Sequence, residues 1–133
     1  MSLQYSVAVR NARLDVVEST IGTAAVLKIF SGAVPANCAA ANPTGELVSI
    51  TLPSDWMAAA ASGAKAKSGT WSGTASSGSA TTPQSFRIYA SDGTTCGIQG
   101  TCGVGSGDLS VDGVITSGQT VTVSSFSLTA GNA

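Results

Sequence analysis

Asp108 and Asp112 bracket the segment DLSVDG, and Asp92 sits in the turn-like SDG; these carboxylates come nearest in spacing to a cation site. Calcium needs several oxygen ligands at short, regular intervals. Here the spacing is four and no third acid stands nearby, so Asp92 and Asp112 are expected to stabilise turns ahead of glycine instead. The chain has no histidine. That removes Ser-His-Asp and Cys-His relays and any histidine-ligated metal. Three dispersed cysteines cannot close a four-cysteine zinc site. Lys65 and Lys67 remain as nucleophiles, but their setting, AKAKSGTWSG, predicts solvated side chains. GVGSG at 103–107 lacks the Lys-Ser/Thr and the following helix that a phosphate loop requires. The inventory therefore predicts a non-enzyme with no catalytic residue, no metal and no cofactor. Trp56, Trp71 and Tyr89 would stack sugars if one sheet face exposed them, but core positions are the expectation.

Cys38, Cys96 and Cys102 are an odd count. The N-terminal MSLQYSVAVRNARLDVVEST lacks the apolar block of a signal peptide, so folding in the cytoplasm and free thiols are expected. Cys96 and Cys102 on one straight strand would lie ~20 Å apart, too far to bridge. Cys38 with Cys96 is the one pairing that stays open.

The reactive residues must be positioned by a chain of 133 residues, a length suited to one domain with its own core. Aromatic residues are only 5%, so that core must rest on Val, Ile and Leu. Charged residues are 10%, against roughly 25% in ordinary domains. Ser, Thr, Gly and Ala must therefore cover the surface, which suits a protein crowded against neighbours. The six basic residues form no stripe that would suit nucleic acid. No apolar run approaches the ~20 residues that span a bilayer.

One helix is predicted, over 4–21, with Gly22 as its stop. Val7, Leu14, Val17 and Ile21 share one face; Tyr5, Ala8, Val9, Ala12 and Val16 gather nearly opposite. Asn11, Asp15 and Glu18 fill a narrow polar arc between them. Two apolar stripes imply either one face on the chain's own core and one on a partner, or a helix buried on two sides. Strands follow at 24–31, at 46–52 with Val48, Ile50 and Leu52 inward, and as a polar strand near 64–73. SDWMAAAA reads as a short helical turn capped by Ser54 or Asp55. SFRIYASDGTTCGIQG reads as a hairpin turning at 91–94, with Arg87 and Tyr89 on its outward face. A short strand at DLSVDG and a last strand, QTVTVSSFSLTAG, complete the set. The alternation in that last strand slips by one residue after Val123, as a β-bulge would produce. Six to eight strands behind one helix predict a mostly β chain, an antiparallel β-sandwich or jelly-roll-like domain over about 24–130. Tyr5, Val9, Val16, Arg87 and Tyr89 are the candidate interface residues.

Taken together, LKIFSGAVPANCAAA, ELVSITLPSDWM, SFRIYASDGTTCGIQG, GDLSVDG and SGQTVTVSSFSLTAGN resemble a group of small structural proteins of tailed bacteriophages and prophages. The resemblance spans nearly the whole chain and is weakest at 58–83. It rests on turn and strand patterns and brings no catalytic residues. It implies a virion component, most like a capsid decoration or cement protein. Its partners would be the major capsid protein and further copies of itself, as a dimer or trimer, and its place the outer capsid surface. A tail or neck component, or a carbohydrate-binding adhesive module, are the alternatives.

Overall fold

The computed structural model describes residues 3–131. It is mostly β, with one N-terminal helix and antiparallel-rich sheets curled into a sandwich-like arrangement. Helix α1 (Val7–Ile21) precedes β1 (Val26–Phe30), β2 (Glu46–Thr51), β3 (Ala64–Ala66), β4 (Trp71–Thr74), β5 (Ser85–Tyr89), β6 (Cys96–Val104), β7 (Leu109–Val111), β8 (Thr120–Val123) and β9 (Ser127–Thr129). The main sheet runs β2-β1-β5-β6-β7, and two-stranded sheets pair β3 with β9 and β4 with β8. Every pairing is antiparallel except β6 with β7, which is parallel.

The strands follow the alternation in the sequence where one face is buried. In β2, Val48 and Ile50 are enclosed, and Leu52 just beyond it is too. The register shifts so that Phe30 faces Glu46 and Ile29 faces Val48, which leaves Leu47 as the extra residue of a bulge and turns it inward as well. The C-terminal slip has a different cause from the bulge expected. Residues 124–126 form a corner where the chain leaves β4 and crosses to β3, so one expected strand is two. Phe126 fills the corner, and its carbonyl accepts the Lys67 N–H at 2.8 Å.

The segment SDWM is not helical. Its backbone is claimed by a neighbour: the Trp56 carbonyl accepts the Ser68 N–H at 2.9 Å, and the Ala58 N–H donates to the Ala66 carbonyl at 2.8 Å. Those bonds tie residues 56–58 to 66–68 in place of a helical turn, and Trp56 turns fully inward. Its indole N–H donates to the Gly22 carbonyl at 2.9 Å, which ties the end of α1 to the core. Trp56, Trp71, Phe126 and Phe86 then form a continuous aromatic chain, with ring centroids 6.1, 5.5 and 5.8 Å apart in sequence. Residues on both sides of the Ser/Gly-rich stretch 58–83 contribute to this one apolar cluster.

The β5–β6 hairpin turns where the sequence places it. The Gly93 N–H donates to the Ala90 carbonyl at 2.9 Å. Asp92 accepts the Thr95 hydroxyl at 2.6 Å and the Thr95 and Thr94 N–H groups at 2.9 and 2.8 Å. These three bonds, the Thr95 hydroxyl first, hold the Asp92 carboxyl down from 3.8 to about 2. A depressed carboxyl stabilises the fold above its unfolded value, and that contribution is lost as pH falls through its folded value. Carbon-detected titration should therefore place Asp92 near 2, with the Thr94 and Thr95 amides losing protection only between about pH 4 and 2. A midpoint near 3.8 would show that the turn does not hold the carboxylate as described.

The expectation of three free thiols is corrected. Cys38 is disulfide-bonded to Cys96, with their Cα atoms 5.4 Å apart, and Cys102 is left free and buried. The pairing arises because the 33–43 segment folds back across β5 and β6 as a strap. The strap's base is pinned where the Gly32 N–H donates to the Thr44 carbonyl and the Ser31 N–H to the Gly45 carbonyl, each at 2.9 Å.

Candidate functional site

Helix α1 starts at Ser6, whose hydroxyl accepts the Val9 N–H at 3.2 Å, and stops at Gly22, whose N–H donates to the Glu18 carbonyl at 2.9 Å. Leu14 and Ile21 are buried and Val17 packs against the core. Val7, from the same expected stripe, stays 48% exposed.

The polar arc of the helix borders the 57–65 segment, with Glu18 largely covered and the Asp15 side chain 50% exposed. The irregular backbone at 57–63 needs acceptors for its N–H groups, and the arc supplies them. Asn11 accepts from Gly63 at 2.9 Å, Asp15 from Ala60 at 3.0 Å and Glu18 from Met57 at 3.1 Å. Between the two carboxylates stands Lys65, whose ammonium lies 2.7 Å from Asp15 and 2.9 Å from Glu18. The expectation that Lys65 is solvated is therefore wrong: it is only 2% exposed. Burial works against its charge, but the hydrogen bonds to Asp15 and Glu18 outweigh burial and hold the ammonium above its ordinary value. Asp15 is correspondingly held below the ordinary carboxylate range, first by Lys65 and then by the Ala60 N–H.

A cleft of about 590 Å³ opens beside this cluster, walled by Asp15, Glu18, Asp55, Met57 and Lys65. Its ammonium is held protonated and hydrogen-bonded, so it is no nucleophile. Its inner carboxylates already serve Lys65 and the backbone. Lys67 is half-exposed; it donates to the Gly69 carbonyl at 2.7 Å and lies over the Trp71 ring at 5.7 Å.

With the polar arc bonded to the 57–65 segment, the second apolar stripe is left outward. Val9 and Val16 are 45% and 57% exposed, and Ala8 and Ala12 are exposed beside them. Tyr5 is half-buried, with the Arg13 guanidinium 5.0 Å from its ring centre. Of the large apolar side chains exposed among the described residues, Leu3, Val7, Val9 and Val16 belong to this N-terminal segment, against Val104 and Val114 elsewhere. Of the five candidate interface residues, Val9 and Val16 share one exposed face of α1, and Tyr5 lies just ahead of the helix beside Arg13.

Arg87 and Tyr89 do not join them, and their expected outward placement is corrected. They do lie opposite Phe86 and Ile88 across β5, but that second face is covered by the strap, so every residue of β5 is buried. Arg87 donates to Asn42 Oδ1 at 3.0 Å, to the Asn37 and Ala40 carbonyls at 3.0 and 3.2 Å, and to Gln99 Oε1 at 3.2 Å. The Tyr89 hydroxyl donates to Asn42 Oδ1 at 2.8 Å, and Gln99 reaches the Pro35 carbonyl at 2.7 Å. The signal that sequence reading missed lies in PANCAAANP, where two asparagines and a cysteine sit in a loop long enough to fold over a neighbouring strand. Trp56 and Trp71 are fully enclosed, as expected of core residues, and so offer no ring for a sugar to stack on. No family model, no curated protein and no solved structure matches the chain.

Proposed function

We propose that this chain is a non-enzymatic structural protein of a tailed-phage particle that decorates the outside of the icosahedral capsid and stabilises it. The observation that carries this reading is the outward stripe of α1, where Val9 and Val16 face solvent beside Ala8 and Ala12 while Asp15 and Glu18 of the same helix bond the 57–65 segment. That arrangement leaves an apolar surface suited to the major capsid protein, to a second copy, or to both at a capsomer junction. The sequence resemblance to phage virion proteins points the same way, as does a surface poor in charge.

A subunit that binds only the intact shell stabilises it by mass action. Modest contacts suffice when repeated over a lattice through multivalent attachment. Particles lacking the protein should assemble with normal geometry but lose DNA at lower temperature or under osmotic shock. Purified protein should restore resistance in a saturable way. Depleted heads as robust as the intact ones, with the protein co-purifying with detached tails, would overturn the decoration reading in favour of a tail component.

A further inference from the structure

We propose that the Cys38–Cys96 disulfide is a redox latch on the 33–43 strap, and that its reduction lets the strap lift from β5 and return Arg87 and Tyr89 to solvent. This device does not depend on the decoration reading. It rests on what the strap covers. Arg87 is 2% exposed, yet among the described residues its guanidinium meets no carboxylate. All its acceptors are neutral, and three of the four belong to the strap: Asn42 Oδ1 and the carbonyls of Asn37 and Ala40. A buried cation partnered only by dipoles gives up hydration that an open strap would restore. The Tyr89 hydroxyl is in the same position, since its acceptor is also Asn42. Closing the strap therefore sets these hydrogen bonds against the hydration of Arg87 and the freedom of the loop. A covalent tie at the middle of the strap shifts that balance decisively toward the closed form.

The placement of the cysteines suits a latch. Cys38 sits midway along the strap, and Cys96 opens β6 directly after the hairpin turn. Both are half-buried, whereas Cys102 is enclosed. The third thiol does not interfere: burial pushes it up to about 12, where it stays protonated and does not exchange. Opening requires a dithiol reductant. One of its thiolates attacks a latch sulfur and expels the other cysteine, and its second thiolate then resolves the mixed disulfide. The latch gains two electrons and two protons as two thiols, and the reductant leaves as a disulfide. Closing is the reverse exchange, with a small-molecule disulfide as oxidant that departs as two thiols. Compartments that keep thiols reduced would hold the strap open, and oxidising surroundings would close it.

The test is hydrogen–deuterium exchange on the full chain, oxidised with glutathione disulfide or reduced with dithiothreitol, read at the earliest labelling times. In the reduced form the strap peptide should label at least about tenfold faster while β4 and β8 stay protected, and re-oxidation should restore the strap. A Cys38→Ser variant should match the reduced protein without any reductant. If that variant does not fold, reduced wild-type protein still gives the comparison. The proposal fails if the strap labels alike in both forms. It fails equally if reduction exposes the whole chain at once, or if peptide mapping of the oxidised protein finds Cys38 and Cys96 as free thiols.

Discussion

Reduction of the Cys38–Cys96 bridge is expected to lower the thermal unfolding midpoint by on the order of 10 °C. The bridge joins residues 58 apart in sequence, so it removes a large loop from the freedom of the unfolded chain. Chain-entropy reasoning gives about 4 kcal/mol for a loop of that size, and measured bridges commonly deliver about 2–4. A chain this long shifts by roughly 3–5 °C per kcal/mol. The strap adds to the effect, because the acceptors that cover Arg87 are ordered by the same tie. Melting followed by circular dichroism, with and without a non-thiol reductant, measures it. A Cys38→Ser/Cys96→Ser variant should reproduce the reduced value. An unchanged midpoint would mean that the bridge constrains nothing the fold does not already fix.

The second large effect is expected at Lys65. Replacement by Met should cost about 2–3 kcal/mol, seen as a lower urea midpoint. Breaking a buried pair by removing one partner costs roughly 3–5 kcal/mol, because the remaining charge loses its compensation. The figure is reduced here because the Asp15 side chain is 50% exposed and water screens part of the repulsion left between Asp15 and Glu18. The pH dependence has a definite sign. Asp15 is held below 3.8, so its share is present above that value and fades as pH falls through its lower folded value. Lys65 is held above 10.5, so its share is full below that value and fades as pH rises through the higher folded one. The gap between wild type and Lys65→Met should therefore be widest between these limits and narrow in acid. A variant as stable as wild type at neutral pH would contradict the role given to Lys65 in seating the helix.

What was legible in the sequence is the set of elements governed by neighbours in the chain. The β5–β6 hairpin could be read because Asp92, Gly93 and Thr95 carry their own turn chemistry. The strand at Val48, Ile50 and Leu52 could be read because one face is apolar. The helix was legible as a helix, but its orientation was not fully so. Periodicity assumes that the polar arc faces water, whereas Asn11, Asp15 and Glu18 are claimed by N–H groups 39–52 residues away. Arg87 and Tyr89 were placed outward for a related reason. Alternation assigns a side chain to a face of its own strand, and says nothing of a strap whose acceptors lie 45–50 residues earlier. The polar strand expected near 64–73 is two short strands, β3 and β4, because their pairing partners, β9 and β8, lie at the far end of the chain in separate sheets. Long-range acceptors and covers leave little local trace.

The central proposal is that the outer stripe of α1 is the surface by which this chain holds to a phage head, and one binding measurement reaches it most directly. Purified protein is co-sedimented with heads stripped of it, comparing wild type with Val9→Glu/Val16→Glu. Both positions are exposed, so the variant should keep its fold, with stability within about 0.5 kcal/mol per site. Its binding should fall by at least about tenfold, since two carboxylates would have to be desolvated against the shell. A folded variant that saturates stripped heads as tightly as wild type would contradict the assignment of the helix as the contact surface.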